Sequence, residues 1–160
     1  MLATAAITFS VAATAFAAPG KFSVKADELE YNMQTGEGKG RGHVVILQDD
    51  GKATANYATF NSKAKTGTLI GNVFVDKEGT QISCNEFVMH NEDYTSAKGN
   101  AAVHKDGKKL EAEQIDYHKS AEFAETIGTW ARLTDTDGSI LNAGKIDYDV
   151  DIREYIPEFP

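Results

Sequence analysis

Residues able to carry chemistry are few in this chain, and they do not converge. The four histidines are His43, His90, His104 and His118. None stands four residues from another, and none shares local sequence with the single cysteine, so no metal site is expected. Asp27-Glu28 resembles a pair of carboxylates for general acid–base work. The positions that correspond to it further along are Asn56-Tyr57, Asn85-Glu86, Glu113-Gln114 and Gly144-Lys145. A catalytic dyad does not survive such changes of chemistry, whereas a crease or a solvent-facing position does. The glycines of GEGKGRG at 36–42 imitate a phosphate loop in composition alone, because no helix start follows them and GKS or GKT is absent. No serine has an identifiable base. These residues propose no reaction, no catalytic group and no cofactor, so the chain is expected not to be an enzyme.

The organising feature lies elsewhere. VKADELEY at Val24–Tyr31 returns as ATANYATF (Ala53–Phe60), ISCNEFVM (Ile82–Met89), LEAEQIDY (Leu110–Tyr117) and LNAGKIDY (Leu141–Tyr148). The central small residues Ala26, Ala55, Cys84, Ala112 and Ala143 are separated by 29, 29, 28 and 31 positions. A fixed period of this size means that one supersecondary unit is stacked upon itself and gains a core by stacking. Cys84 fills a slot held by Ala in the other copies, which makes it a small packed side chain rather than a nucleophile. With one cysteine, no disulfide forms within the chain.

Each copy alternates apolar and polar residues, then slips phase. The slip lies between Ala26 and Leu29, Ala55 and Ala58, Cys84 and Phe87, Ala112 and Ile115, and Ala143 and Ile146. A strict two-residue period would turn half of these side chains outward; a bend or bulge at one level of every strand keeps them together. The stack is therefore predicted to be creased along its length, with the apolar residues inside. A second segment in each unit is read as beginning at a glycine, at Gly42, Gly71, Gly99 and Gly128. It runs into turns at Asp49-Asp50-Gly51, Lys77-Glu78-Gly79, Lys105-Asp106-Gly107 and Thr136-Asp137-Gly138. The period is short for a propeller blade. Two strands per unit joined by glycine turns favour an all-β, open antiparallel jelly-roll, a two-walled V-shaped stack, over a parallel β-helix. Its terminal strands invite addition of another copy or partner, and the prolines of the tail limit growth at that end. Patterning alone leaves open whether side chains fill the interior or leave a groove for acyl chains.

Met1 to Ala18 carries no charge and ends in the small-residue spacing of an export cleavage site, without a basic start. A signal peptide over residues 1–17, a β-domain over 18–150 and a tail over 151–160 are expected. A buried apolar strand or an uncleaved anchor are the alternatives, the anchor being disfavoured by the roughly 20 strongly apolar residues a span needs. The net charge of −8, with acids in every repeat, excludes nucleic acid as a partner. Lys39 with Arg41, Lys63 with Lys65 and Lys108 with Lys109 are short groups, read as solvated edges or as contacts for anionic head groups.

The unit from Val24 to Val75 closely resembles the OstA-like repeat of the lipopolysaccharide transport family, above all its periplasmic bridge component. That family also includes the jelly-roll domain of a membrane-anchored component and the N-terminal domain of an outer-membrane assembly protein. The likeness covers about Phe22 to Tyr148 and rests most on A-D-x-φ-x-Y at Ala26–Tyr31, G-N-V at Gly71–Val73 and G-N at Gly99–Asn100. The resemblance implies a periplasmic protein that carries lipopolysaccharide acyl chains in its interior and joins end to end with copies of itself or with related jelly-roll domains through its terminal strands. By position, the lipid groove would be lined by Val24, Ala26, Leu29, Tyr31, Val44, Ile46, Phe60, Val73, Val75, Ile82, Phe87, Met89, Leu110, Ile115, Tyr117 and Trp130. Assembly contacts would fall near Phe22–Tyr31 and Ile140–Tyr148. An adaptor module of the same machine and a structural β-solenoid that binds no lipid are the alternatives.

Overall fold

The inner repeats become pairs of long antiparallel strands, because each apolar segment is closed at both ends by residues that reverse the chain cheaply. The computed structural model describes residues 7–9, 22–149 and 155–157. The expected cleavage point after Ala17 and the domain boundary at 150 lie outside the described residues. The strands are β1 (Ile7–Phe9), β2 (Ser23–Lys25), β3 (Glu28–Tyr31), β4 (Glu37–Gln48), β5 (Gly51–Asn61), β6 (Thr66–Lys77), β7 (Thr80–Met89), β8 (Tyr94–Lys105), β9 (Lys108–His118), β10 (Phe123–Thr134), β11 (Ile140–Ala143), β12 (Ile146–Asp149) and β13 (Tyr155–Pro157). They form one sheet in which β3 to β10 follow chain order, with β1 on β3, β2 on β4, β11 and β12 on β10, and β13 on β12. Every pairing among them is antiparallel. The fold is thus all-β, an open antiparallel sheet of jelly-roll type.

One end of the strands is closed tightly and the other widely. Glu78-Gly79 and Asp106-Gly107 have φ of 51° and 77°, and 50° and 77°, the mirror-image turn whose twist matches the strands it joins. At the other end an asparagine side chain organises the loop: Asn61 Oδ1 accepts from the N–H of Lys63 at 3.0 Å and Ala64 at 2.9 Å. Asn32 does the same for Gln34 and Thr35, and Asn91 for Asp93 and Tyr94.

The predicted crease is present, and it passes through both strands of each repeat. Registers shift between Arg41 and Val44, Thr54 and Tyr57, Ile70 and Val73, Ser83 and Glu86, Lys98 and Ala101, and Ile127 and Ala131. The glycines taken as the starts of second segments lie instead in the middle of long strands. Gly42, Gly71 and Gly99 have φ of 71°, 81° and 78° and are followed by His43, Asn72 and Asn100 at 46°, 47° and 47°. Two successive left-handed residues bend the strand without ending it. The side chain at the crease of the neighbouring strand packs into the space a Cβ would fill: Asp27 at Gly42, Asn56 at Gly71, Asn85 at Gly99 and Glu113 at Gly128. This explains why these positions changed chemistry from copy to copy. Toward the two ends of the sheet the strand breaks at the crease, giving β2 with β3 on β4 and β11 with β12 on β10.

Candidate functional site

Register and alternation sort the inward side chains into rows that run across the sheet. Nearest the wide loops the row reads Tyr31, Gly38, Phe60, Gly67, Met89, Thr95, Tyr117, Ala124, Tyr148, large and small in turn. A second row contains Leu29, Gly40, Ala58, Leu69, Phe87, Ala97, Ile115 and Thr126. The crease row is Val44, Ala55, Val73, Cys84, Ala101, Ala112, Ala131 and Ala143, small because two walls meet there. On the wall that ends in tight hairpins the row is Val24, Ile46, Ala53, Val75, Ile82, Val103, Leu110, Leu133 and Leu141. Facing rows enclose a cavity of about 500 Å³, within the range of pockets that take small ligands. Gly51 and Asn61, opposite ends of β5, both line it. A straight strand would hold them about 34 Å apart, so the sheet folds over at the crease and its two ends become lips.

Of the expected groove residues, Ile46, Phe60, Val75, Ile82, Phe87, Met89, Leu110, Ile115 and Tyr117 line this cavity. Val24, Ala26, Leu29, Tyr31, Val44 and Val73 pack in the same apolar cluster without lining it. Trp130 is 42 % exposed and lies outside the cavity. Its strand carries Gly128, Thr129 and Trp130 between the paired positions Ile127 and Ala131, one residue more than Gly71-Asn72 or Gly99-Asn100, so Ala131 takes the inward slot. Phe22, Leu69 and Leu133, which were not among the expected groove residues, also line the cavity.

Charge gathers at the lips. On the wide lip Lys65 is ion-paired with Glu92. The hydrogen bond and charge of Glu92 raise the pKa of Lys65, and Asp49 on the opposite lip adds to the effect. Tyr117, inside, has its pKa raised by burial first and then by Glu122, Glu78 and Asp93, of which Glu78 belongs to the tight hairpins. The two lips therefore face each other closely enough for their charges to be felt across the opening. Deeper, burial pushes the Cys84 thiol up to about 11, which leaves it protonated and inert. On the opposite face of the sheet the rings of His90, Tyr94 and His118 stack at 4.3 and 4.7 Å, and Tyr94 donates to Asp116 at 2.6 Å. Among the described residues no group of His, Cys, Asp and Glu is arranged to hold a metal ion.

A family model described as "LptA/(LptD N-terminal domain) LPS transport protein" matches residues 23–153. A solved structure, that of LptH, the LptA-homologous periplasmic component of the lipopolysaccharide transport device of Pseudomonas aeruginosa, superposes with a TM-score of 0.55. The match is 23 % identical and covers 62 % of this chain and 76 % of that one, a likeness that bears on the fold. No curated protein sequence matches.

Proposed function

Because the chain belongs to the LptA/(LptD N-terminal domain) family of LPS transport proteins, we propose that it shields lipopolysaccharide acyl chains in the groove between its two walls and bridges inner to outer membrane by end-to-end assembly. Its role is transport in the periplasm, not catalysis. The observation that carries the groove reading is the run of apolar rows, unbroken from one lip to the other, around a cavity of about 500 Å³. Each methylene moved from water into such an interior is worth about 0.8 kcal/mol, so even part of one acyl chain would be held firmly. Assembly is supported by the ends of the sheet: β11 pairs with β10 alone among the described residues, and Ile140 on it is 56 % exposed.

Photo-crosslinking distinguishes this from a sealed solenoid. A crosslinking side chain at Phe87 or Leu110 is expected to capture lipopolysaccharide in the envelope, and one at Trp130, on the outer face, is not. Equal capture from all three positions, or capture from none, would overturn the groove reading.

A further inference from the structure

The apolar rows end differently at the two lips. Beyond Val75, Val103 and Leu110 the inward row continues as Lys77, Lys105 and Lys108, all of which line the cavity. The stem of Lys77 lies over Gly51, where a Cβ would meet Lys77 Cδ at 3.2 Å, so the chain is laid along the inner wall with its ammonium at the edge. Lys108 has Asp135 at 3.8 Å. Among the described residues no ion pair is made by Lys77 or Lys105. This is unexpected where 24 acids stand against 16 bases. The carboxylates of this lip that reach the cavity, Asp49 and Glu78, sit in the turns rather than in the row itself. The wide lip is balanced instead, its Lys65 held by Glu92 and its Lys119 accompanied by Asp93.

The geometry points to a phosphate-binding row: Lys77, Lys105 and Lys108 receive phosphate groups on the head of the amphiphile whose chains occupy the groove, and so orient that head toward the tight-hairpin lip. This rests on the groove reading above. Lysine suits the task because a flexible stem delivers a compact charge to an oxyanion whose position varies. Lys105 and Lys108 are direct neighbours across β8 and β9, and Lys77 stands two strands away, about 10 Å. The row therefore spans two phosphate positions.

The test compares lipopolysaccharide with the same lipid stripped of phosphate, each displacing a fluorescent fatty acid from the full chain. Replacing all three residues (K77Q, K105Q, K108Q) is expected to weaken lipopolysaccharide about tenfold. Binding of the dephosphorylated lipid and the fatty acid should stay unchanged, and the K77R, K105R, K108R protein should bind as the parent does. The parent's preference for the phosphorylated lipid should fade at about 0.5 M salt. A glutamine protein that binds lipopolysaccharide normally, or that loses both lipids equally, would overturn the row while leaving the groove intact. A parent that takes up no lipid and no fatty acid would overturn the groove and the row together. Inorganic phosphate bound without lipid, with the same sensitivity to glutamine, would make this a free-phosphate site and overturn the head-group assignment.

Discussion

Replacing Gly38 by alanine tests the packing of the interior at one atom. Gly38 and Gly67 face Phe60 in register on either side, and the ring is turned over Gly38, which offers no side chain. A Cβ on Gly38 would stand far inside contact distance of Phe60 Cζ. Phe60 is 8 % exposed and held by Phe22 at 5.3 Å and Tyr31 at 6.1 Å between ring centroids. Alanine at an ordinary strand position gains about 0.4–1 kcal/mol by restricting the unfolded chain. Here the ring must move, which costs about 1–3 kcal/mol for overpacking and up to about 1.5 kcal/mol for disturbed ring pairs. The net expectation is a loss of about 2–3 kcal/mol in urea denaturation followed by circular dichroism. In a Phe60→Ala background the obstacle is gone, and the same change should be neutral or slightly stabilising, giving a coupling of about 2–3 kcal/mol. A neutral Gly38→Ala, or the same loss in both backgrounds, would refute the alternation of large and small residues as the packing rule.

Other perturbations separate backbone from side-chain causes. Gly79→Ala, with nothing within 4 Å of the new methyl, should cost only the strain of a positive φ, about 1–2 kcal/mol. Gly71→Ala must in addition displace Asn56 Nδ2, 2.7 Å from the added carbon, and should be the more destabilising in parallel urea titrations. Burial pushes the Cys84 thiol from its ordinary 9.0 up to about 11 in the folded chain. The unfolded state thus loses its proton first, and stability present below pH 9 falls by about 1.4 kcal/mol per pH unit up to 11. Cys84→Ala should flatten that part of the stability profile relative to the parent. Ile115→Asp places a carboxyl where exposure is 2 %. Burial raises its folded pKa, so the loss, about 3–5 kcal/mol near neutrality, should shrink as pH falls toward about 4, the ordinary carboxyl value of the unfolded chain, and stay level below it.

Much of this architecture was legible in the residues, for reasons that also mark where legibility stops. The phase slip between Ala55 and Ala58, or Cys84 and Phe87, located the crease because an inward-facing apolar set leaves no other way to count. Tight turns were readable because Glu78-Gly79 and Asp106-Gly107 need left-handed backbone. The strand before each central glycine was less visible. Residues 37–41 are glycines and charged side chains with no apolar alternation, yet Gly38 is the small partner that makes room for Phe60. Whether a position is small because it turns or because its neighbour is large depends on the adjacent strand, which a linear pattern does not display. Trp130 was placed in the groove by position, as Val44 and Val73 were; a single extra residue in the bend of β10 reverses its side. Of the lysine row only Lys108, beside Lys109, stood out as a contact for anionic head groups; Lys77 and Lys105 join it through strand pairing, which a linear pattern does not display.

The alternation of bulky and slight residues from strand to strand has a consequence for traffic. A hydrocarbon tail lying along the row nearest the wide loops would meet the same large–small pattern again after every two strands, about 10 Å. Along that row, advancing by that distance exchanges one set of neighbours for an equivalent one, so no station on it is a resting place. The protein would then supply a level track, and the direction of travel would have to be imposed by what loads one end and empties the other.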